Sequence, residues 1–268
     1  MRSIAIVLGL LIFAACGAHG PAYSEAEFPS RKVTVGGVQY GYRIYVPPDR
    51  KDGETLPVML YLHGSNRRGS DNKSQLADLY ENIKGFPQNW KFIVVIPQCR
   101  ENLFWAGPMV DQAMAALDQT VKEFGGNENR LYLAGYSMGG FGTWQTAITY
   151  PGKFAAIIPV AGGVEPIGEP SERDKAMLSK QVTAAASSAN VYEAYASVLK
   201  DEPIWIVHGE KDESVPADQA RKMFAGLKSA GSTKVVYNEL PGVGHGSVVP
   251  AFSDPKLFEW LRNQTLSK

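Results

Sequence analysis

The sequence predicts an α/β fold: a mostly parallel central sheet with helices on both faces and an antiparallel N-terminal hairpin. Three observations predict it. Short, continuous apolar runs recur along the chain, helical patterns separate them, and one alternating pair of segments flanks a Gly36-Gly37 turn. Continuous apolar runs suit strands buried on both faces. Strands alternating with helices imply parallel pairing through right-handed crossovers.

The elements follow in order from residue 31. Val33–Val35 and Val38–Val46 alternate around the glycine pair and read as the hairpin. Pro57–His63, Phe92–Ile96, Arg130–Ala134, Phe154–Val160 and Pro203–Val207 are the buried strands, and Thr233–Leu240 is a mixed last strand. Val110–Phe124 places Val110, Met114, Leu117 and Val121 on one helical face. Met138–Tyr150, Pro216–Ala230 and Asp254–Asn263 are further helices, with Pro216 suited to a first turn. Between residues 163 and 201 the rhythm lapses into a stretch rich in Ala, Ser, Lys and Glu. It reads as one or two helices, either a small cap or a plain connection.

The chain has 268 residues, enough for one domain with a large core. That domain is expected over residues 31–268, after a tether at 21–30. Residues 1–20 read as a targeting segment. Arg2 precedes the uncharged run Ile4 to Ala15, which is too short to span a bilayer and suits the apolar region of an export signal. Phe13-Ala14-Ala15-Cys16 resembles the lipobox of bacterial lipoproteins, with Phe13 where Leu is usual. The expectation is export to a bacterial periplasm or cell envelope. Cys16 is then lipidated, or cleavage near Ala18 releases the chain. Contact with a membrane is expected only through that anchor.

Composition excludes other classes. Basic and acidic residues balance at 27 each, and no basic stripe suggests nucleic acid. Four histidines and two cysteines lie far apart without metal-ligand spacing, so neither a metal nor another cofactor is expected. Loss or lipidation of Cys16 leaves Cys99 without an intramolecular disulfide partner. Nothing in the sequence signals an oligomeric state.

Gly135-Tyr136-Ser137-Met138-Gly139 matches G-x-S-x-G, a weak signal alone. It gains force from its setting, directly after an apolar strand and directly before a helix. Ser137 is therefore the candidate nucleophile, and it needs a base within hydrogen-bond reach. His19 falls before the domain, while His63 and His208 end buried strands in positions typical of structural histidines. His245 remains, in the glycine-rich loop after the last strand. The order Ser…Asp…His places the third member after the preceding strand. Asp212 is preferred there to orient His245, with Glu210 and Glu213 as rivals. Two backbone N–H groups are expected to hold the oxyanion, those of Met138 and of the His63-Gly64-Ser65 segment, with Ser65 favoured.

Together with Tyr61-Leu-His-Gly64, Arg68-Gly69, Gly139-Gly140-Phe141-Gly142-Thr143-Trp144, Tyr150-Pro151, Phe154-Ala-Ala156, His208-Gly209, Val215-Pro216 and Gly242-Val-Gly-His245, these residues carry a family likeness. The sequence resembles the α/β-hydrolase superfamily, in the predicted-peptidase branch of the phospholipase/carboxylesterase families. Feruloyl-type carbohydrate esterases and dienelactone-hydrolase-like proteins are its relatives. The likeness runs from about Val33 to Leu261. It implies Ser137, Asp212 and His245 as a catalytic triad and a carboxylesterase-type activity on a small-molecule or carbohydrate-linked, or aryl, ester. A peptidase or amidase, and a non-catalytic surface lipoprotein, are the alternatives. Dienelactone hydrolases proper use cysteine, so Ser137 argues against that activity. Ser247-Val248-Val249 stands where a large residue is usual after the histidine. Trp105 is a candidate for the substrate pocket, whereas Trp144 is expected to pack in the core.

Overall fold

The computed structural model describes residues 26–266. Among them, eight strands form one sheet: β1 (Ser30–Val35), β2 (Val38–Tyr45), β3 (Val58–Leu62), β4 (Ile93–Pro97), β5 (Leu131–Tyr136), β6 (Ala156–Val160), β7 (Ile204–Gly209) and β8 (Val235–Leu240). Their order across the sheet is β1-β2-β4-β3-β5-β6-β7-β8. The hairpin β1–β2 is antiparallel, and β2 also pairs antiparallel with β4. The remaining pairs are parallel, as the continuous apolar runs predict. The expected targeting segment, with Cys16 and His19, lies outside the described residues.

Side-chain alternation along the strands divides the core into two layers. Val58, Leu60 and Leu62 face the layer built on α2 (Pro108–Phe124) and α3 (Met138–Thr149), with Trp105, Leu117 and Trp144. Met59 and Tyr61 face the opposite layer of Trp90, Phe92, Phe252 and Phe258, closed by α9 (Pro255–Arg262). Both faces of β3 are therefore dry, and each of its residues is buried.

Local chemistry sets the helix ends. Pro108 opens α2 in the first turn, and Gly125 closes it in a left-handed conformation, φ 60°. Asp254 caps α9 by accepting from Lys256 N–H at 2.9 Å.

Three differences from the sequence expectation have physical reasons. Phe28 is buried and Pro29 accepts from Ile44 N–H at 3.2 Å, so the end of the expected tether packs on the domain and β1 begins at Ser30. Residues 163–201 hold three helices rather than one or two: α4 (Glu172–Ala176), α5 (Lys180–Ala186) and α6 (Val191–Leu199). Ser171, Ser179 and Asn190 each start a new helix by accepting backbone N–H bonds, a punctuation that composition conceals. Of these helices, α5 packs on α3, and α6 packs on α7 (Asp218–Ser229). Finally, residues 65–85 form short turns at Ser65–Arg67 and Ser74–Asp78 and the helix α1 (Tyr80–Gly85), all too brief to show periodicity.

Candidate active site

The turn from β5 into α3 carries Ser137 in a strained conformation, φ 55° and ψ −117°, which non-glycine residues rarely adopt. The flanking glycines make this turn feasible. A Cβ on Gly135 would lie 2.2 Å from Gly139 O, and one on Gly139 would lie 1.8 Å from Leu62 O. Strand, helix and the neighbouring β3 thus approach closer than any side chain allows. Ser137 N–H donates to Val160 O at 2.9 Å, tying the turn to β6.

Three strand ends meet there. The Ser137 hydroxyl lies 2.8 Å from His245 Nε2, and His245 Nδ1 lies 2.8 Å from Asp212 Oδ2. The Asp212 side chain is fully buried, whereas that of His245 is 28% exposed, so a substrate can reach the imidazole. Asp212 Oδ1 accepts from Ser214 N–H at 2.9 Å and Val215 N–H at 2.8 Å. With both oxygens engaged, the carboxylate is fixed as an acceptor, so His245 Nδ1 carries the proton and Nε2 is free to accept from Ser137. The rivals of Asp212 have other places. Glu210 accepts from Gly242 N–H at 2.7 Å and holds the β8 turn, and Glu213 is exposed.

The two other domain histidines are structural. His63 Nε2 accepts from Cys99 N–H at 3.0 Å while Nδ1 donates to Gly64 O at 2.7 Å. Burial lowers its pKa to about 4, so it is neutral. His208 donates from Nε2 to Val215 O at 2.8 Å and lies 3.3 Å from Asp212 Oδ2. Burial lowers its pKa as well. It therefore supports the Asp212 loop as a neutral donor. Cys99 is free and buried, its thiol pushed up to about 12 by desolvation.

The expected oxyanion donors lie on two adjoining segments. Met138 is the first residue of α3, and Ser65 begins the short turn after β3. Gly64 N–H, the neighbouring candidate, already donates to Asp78 Oδ2 at 2.9 Å. Asp78 is itself buried, and its Oδ1 accepts from Arg67 Nε at 2.9 Å. One carboxylate therefore grips the chain on both sides of Ser65.

Trp105 does not line a pocket. It is 1% exposed, donates from Nε1 to His63 O at 2.9 Å, and occupies the space beside Gly142, where a Cβ would lie 2.4 Å from Trp105 Cβ. Its polar edge is satisfied inside the core, and its bulk joins the β3 end to α3. Trp144 is a core residue, as expected. A groove of about 630 Å³ lies apart from Ser137 and His245, between the 163–201 segment and α7, with Glu165, Tyr192 and Lys222 on its walls.

Sequence reasoning missed three neighbours of the site. Tyr136 donates its hydroxyl to His245 O at 2.9 Å, with the two rings 5.2 Å apart. Asp78 gave no sequence signal, since its partners lie 11 and 14 positions away. Arg68 Nε lies 3.2 Å from Met138 Sδ. The position of Tyr136 within the G-x-S-x-G motif and the Arg68-Gly69 pair of the family likeness were the available clues.

The prolyl oligopeptidase family matches residues 102–263. An uncharacterized secreted protein of Arthroderma benhamiae is 28% identical over 205 residues, 71% of this chain and 21% of that protein. Esterase LipQ of Mycobacterium tuberculosis is 23% identical over 237 residues, 78% of this chain and 55% of its own length. The chain thus spans about a fifth and about half of these two relatives. A crystal structure of a thermostable esterase superposes with a TM-score of 0.72 at 26% identity, covering 90% of this chain and 63% of that one. The fold is that of the α/β hydrolases, as the sequence predicts.

Proposed function

The chain belongs to the prolyl oligopeptidase family within the α/β hydrolases, and from that premise we propose that it hydrolyses carboxylic esters through an acyl-enzyme on Ser137. The observation that carries the proposal is the continuous hydrogen-bond relay from Ser137 through His245 to Asp212. The esterases among its relatives support the same chemistry.

His245 Nε2 takes the Ser137 proton as Oγ attacks the ester carbonyl carbon. Asp212 holds the imidazole and stabilises the imidazolium. The carbonyl oxygen becomes an oxyanion, facing the N–H groups of Ser65 and Met138. Collapse of this intermediate breaks the ester C–O bond, and His245 returns the proton to the departing alcohol. A water molecule then repeats the sequence on the acyl-enzyme, releasing the acid and restoring Ser137. No metal or cofactor takes part in these steps. Carbohydrate-linked and aryl esters are the proposed substrates.

Turnover of small chromogenic esters tests the proposal, and the Ser137→Ala variant must abolish it. The family name favours a second reading, hydrolysis of amides or peptides. Rates on an ester and an amide of one acyl group separate the two. Failure of a fluorophosphonate probe to label Ser137 would instead point to a non-catalytic surface protein.

We propose further that residues 1–20 direct export and that Cys16 becomes a lipid anchor. The secreted relative supports export. Among the described residues no helix is long and apolar enough to cross a membrane. Mass spectrometry of the mature N-terminus distinguishes a lipidated Cys16 from cleavage near Ala18.

A further inference from the structure

Two adjacent arginines follow the expected oxyanion donor Ser65, and their electrostatic situations differ. Arg67 is paired with Asp78 at 2.9 Å. Arg68 is half-buried and forms no ion pair among the described residues. Its Nε donates instead to the thioether of Met138 at 3.2 Å. A thioether is a weak acceptor and carries no charge to balance a guanidinium. A partly desolvated cation without a counter-ion is unfavourable, and a guanidinium matches a planar carboxylate in two parallel hydrogen bonds.

Position makes this cation relevant to catalysis. Met138 directly follows Ser137, so the guanidinium rests against the residue behind the nucleophile. Arg68 N–H donates to Ser65 O at 3.3 Å, which puts the cation on the oxyanion loop itself. The carboxylates around it are engaged or distant. Asp78 is held by Gly64 and Arg67, and Asp71 accepts from Lys73, Ser74 and Gln98. Glu101 approaches Gly69 but does not pair with Arg68.

We propose that Arg68 is a specificity-determining residue that binds a carboxylate of the substrate, so that the preferred esters carry a negative charge on their acyl or alcohol part. This inference rests on the ester-hydrolase reading and narrows it to anionic esters.

The test uses the full-length protein and two probe pairs. Mono-4-nitrophenyl adipate is compared with its methyl-capped diester, and 3-carboxy-4-nitrophenyl acetate with 4-nitrophenyl acetate. The wild type is expected to prefer the anionic member of at least one pair by about tenfold in kcat/KM, after correction for uncatalysed hydrolysis and leaving-group reactivity. High salt is expected to shrink that preference. Arg68→Gln is expected to erase it, lowering kcat/KM on the anionic member by about tenfold more than on its neutral partner, and Arg68→Lys to retain part of it. Equal rates on both members of both pairs would overturn the proposal and leave the esterase reading intact. So would a uniform loss on all four esters in Arg68→Gln, which would place the cation on the oxyanion instead. No Ser137-dependent turnover of any ester would overturn both.

Discussion

The hydroxyl of Tyr136 donates to the backbone carbonyl of His245 at 2.9 Å, joining the residue before the nucleophile to the residue expected to act as its base. Ser247 N–H donates to the same carbonyl at 2.8 Å. The imidazole is therefore fixed from both ends, by Asp212 at the ring and by Tyr136 and Ser247 at the backbone. Tyr136→Phe deletes one oxygen and leaves the ring packing in place. Its expected effect is a fall in kcat of about three- to tenfold, with KM within twofold. A change in melting temperature without any change in kcat would reduce Tyr136 to a purely structural residue.

Asp78 acts on the chain around Ser65. Removing its carboxylate leaves Gly64 N–H and Arg67 without their partner, and the chain around Ser65 loses its two fixed points. Asp78→Ala is expected to lose on the order of 2 kcal/mol of stability, since Arg67 is partly exposed and regains solvation. The more telling readout is affinity for a tetrahedral analogue such as a trifluoromethyl ketone. It should weaken by about tenfold or more, because the proposed oxyanion donor, Ser65, is no longer held in place. Asp78→Asn retains an acceptor for Gly64 and should recover part of that affinity. Unchanged inhibitor binding in a folded Asp78→Ala protein would separate this clamp from the oxyanion site.

The elbow glycines offer a stability test independent of catalysis. A Cβ on Gly139 would meet Leu62 O at 1.8 Å and His63 O at 2.9 Å, both backbone atoms that no rotamer change can move. Gly139→Ala must displace either β3 or the start of α3. Such overpacking costs about 1–3 kcal/mol or more. Chemical denaturation of the purified variant measures it, and a midpoint equal to wild type would show that the turn is looser than its geometry implies.

These features differ in how far they could be read from the chain. Ser137 and Asp212 stood out because each follows a strand with a continuous apolar run, and His245 because elimination left it in the loop after the mixed last strand, so motif and chain order put all three at the carboxyl end of the sheet. Tyr136, Asp78 and Arg68 did not, because their roles depend on which atom comes to face which across 11 to 109 positions. Trp105 was misplaced for a related reason. A large aromatic near a strand end can wall a pocket or fill the core, and only the nearby His63 carbonyl and the bare flank of Gly142 decide between them. The three helices of residues 163–201 were legible in principle through the caps Ser171, Ser179 and Asn190. The Ala-rich composition between those caps masked the breaks.

His63 sets a final expectation, for stability against pH. In the folded protein its Nδ1–H donates to Gly64 O and its Nε2 accepts from Cys99 N–H. A second proton on Nε2 would turn that acceptor into a donor facing another donor, inside a fully buried site. Burial accordingly lowers the folded pKa from 6.5 to about 4. Between those values the unfolded chain binds a proton that the folded protein excludes. Stability is then fully present above pH 6.5 and falls as the pH drops toward 4, by about 3 kcal/mol from this one group. His208, also depressed by burial, acts in the same direction. Denaturant titrations at pH 7.5 and pH 5 should show the loss in wild type. His63→Gln should be less stable at pH 7.5 but lose less on acidification, by the share of one proton. If wild type and variant lose stability equally over this window, the proton is taken up elsewhere, and the buried strand-end histidine is not what makes the fold acid-sensitive.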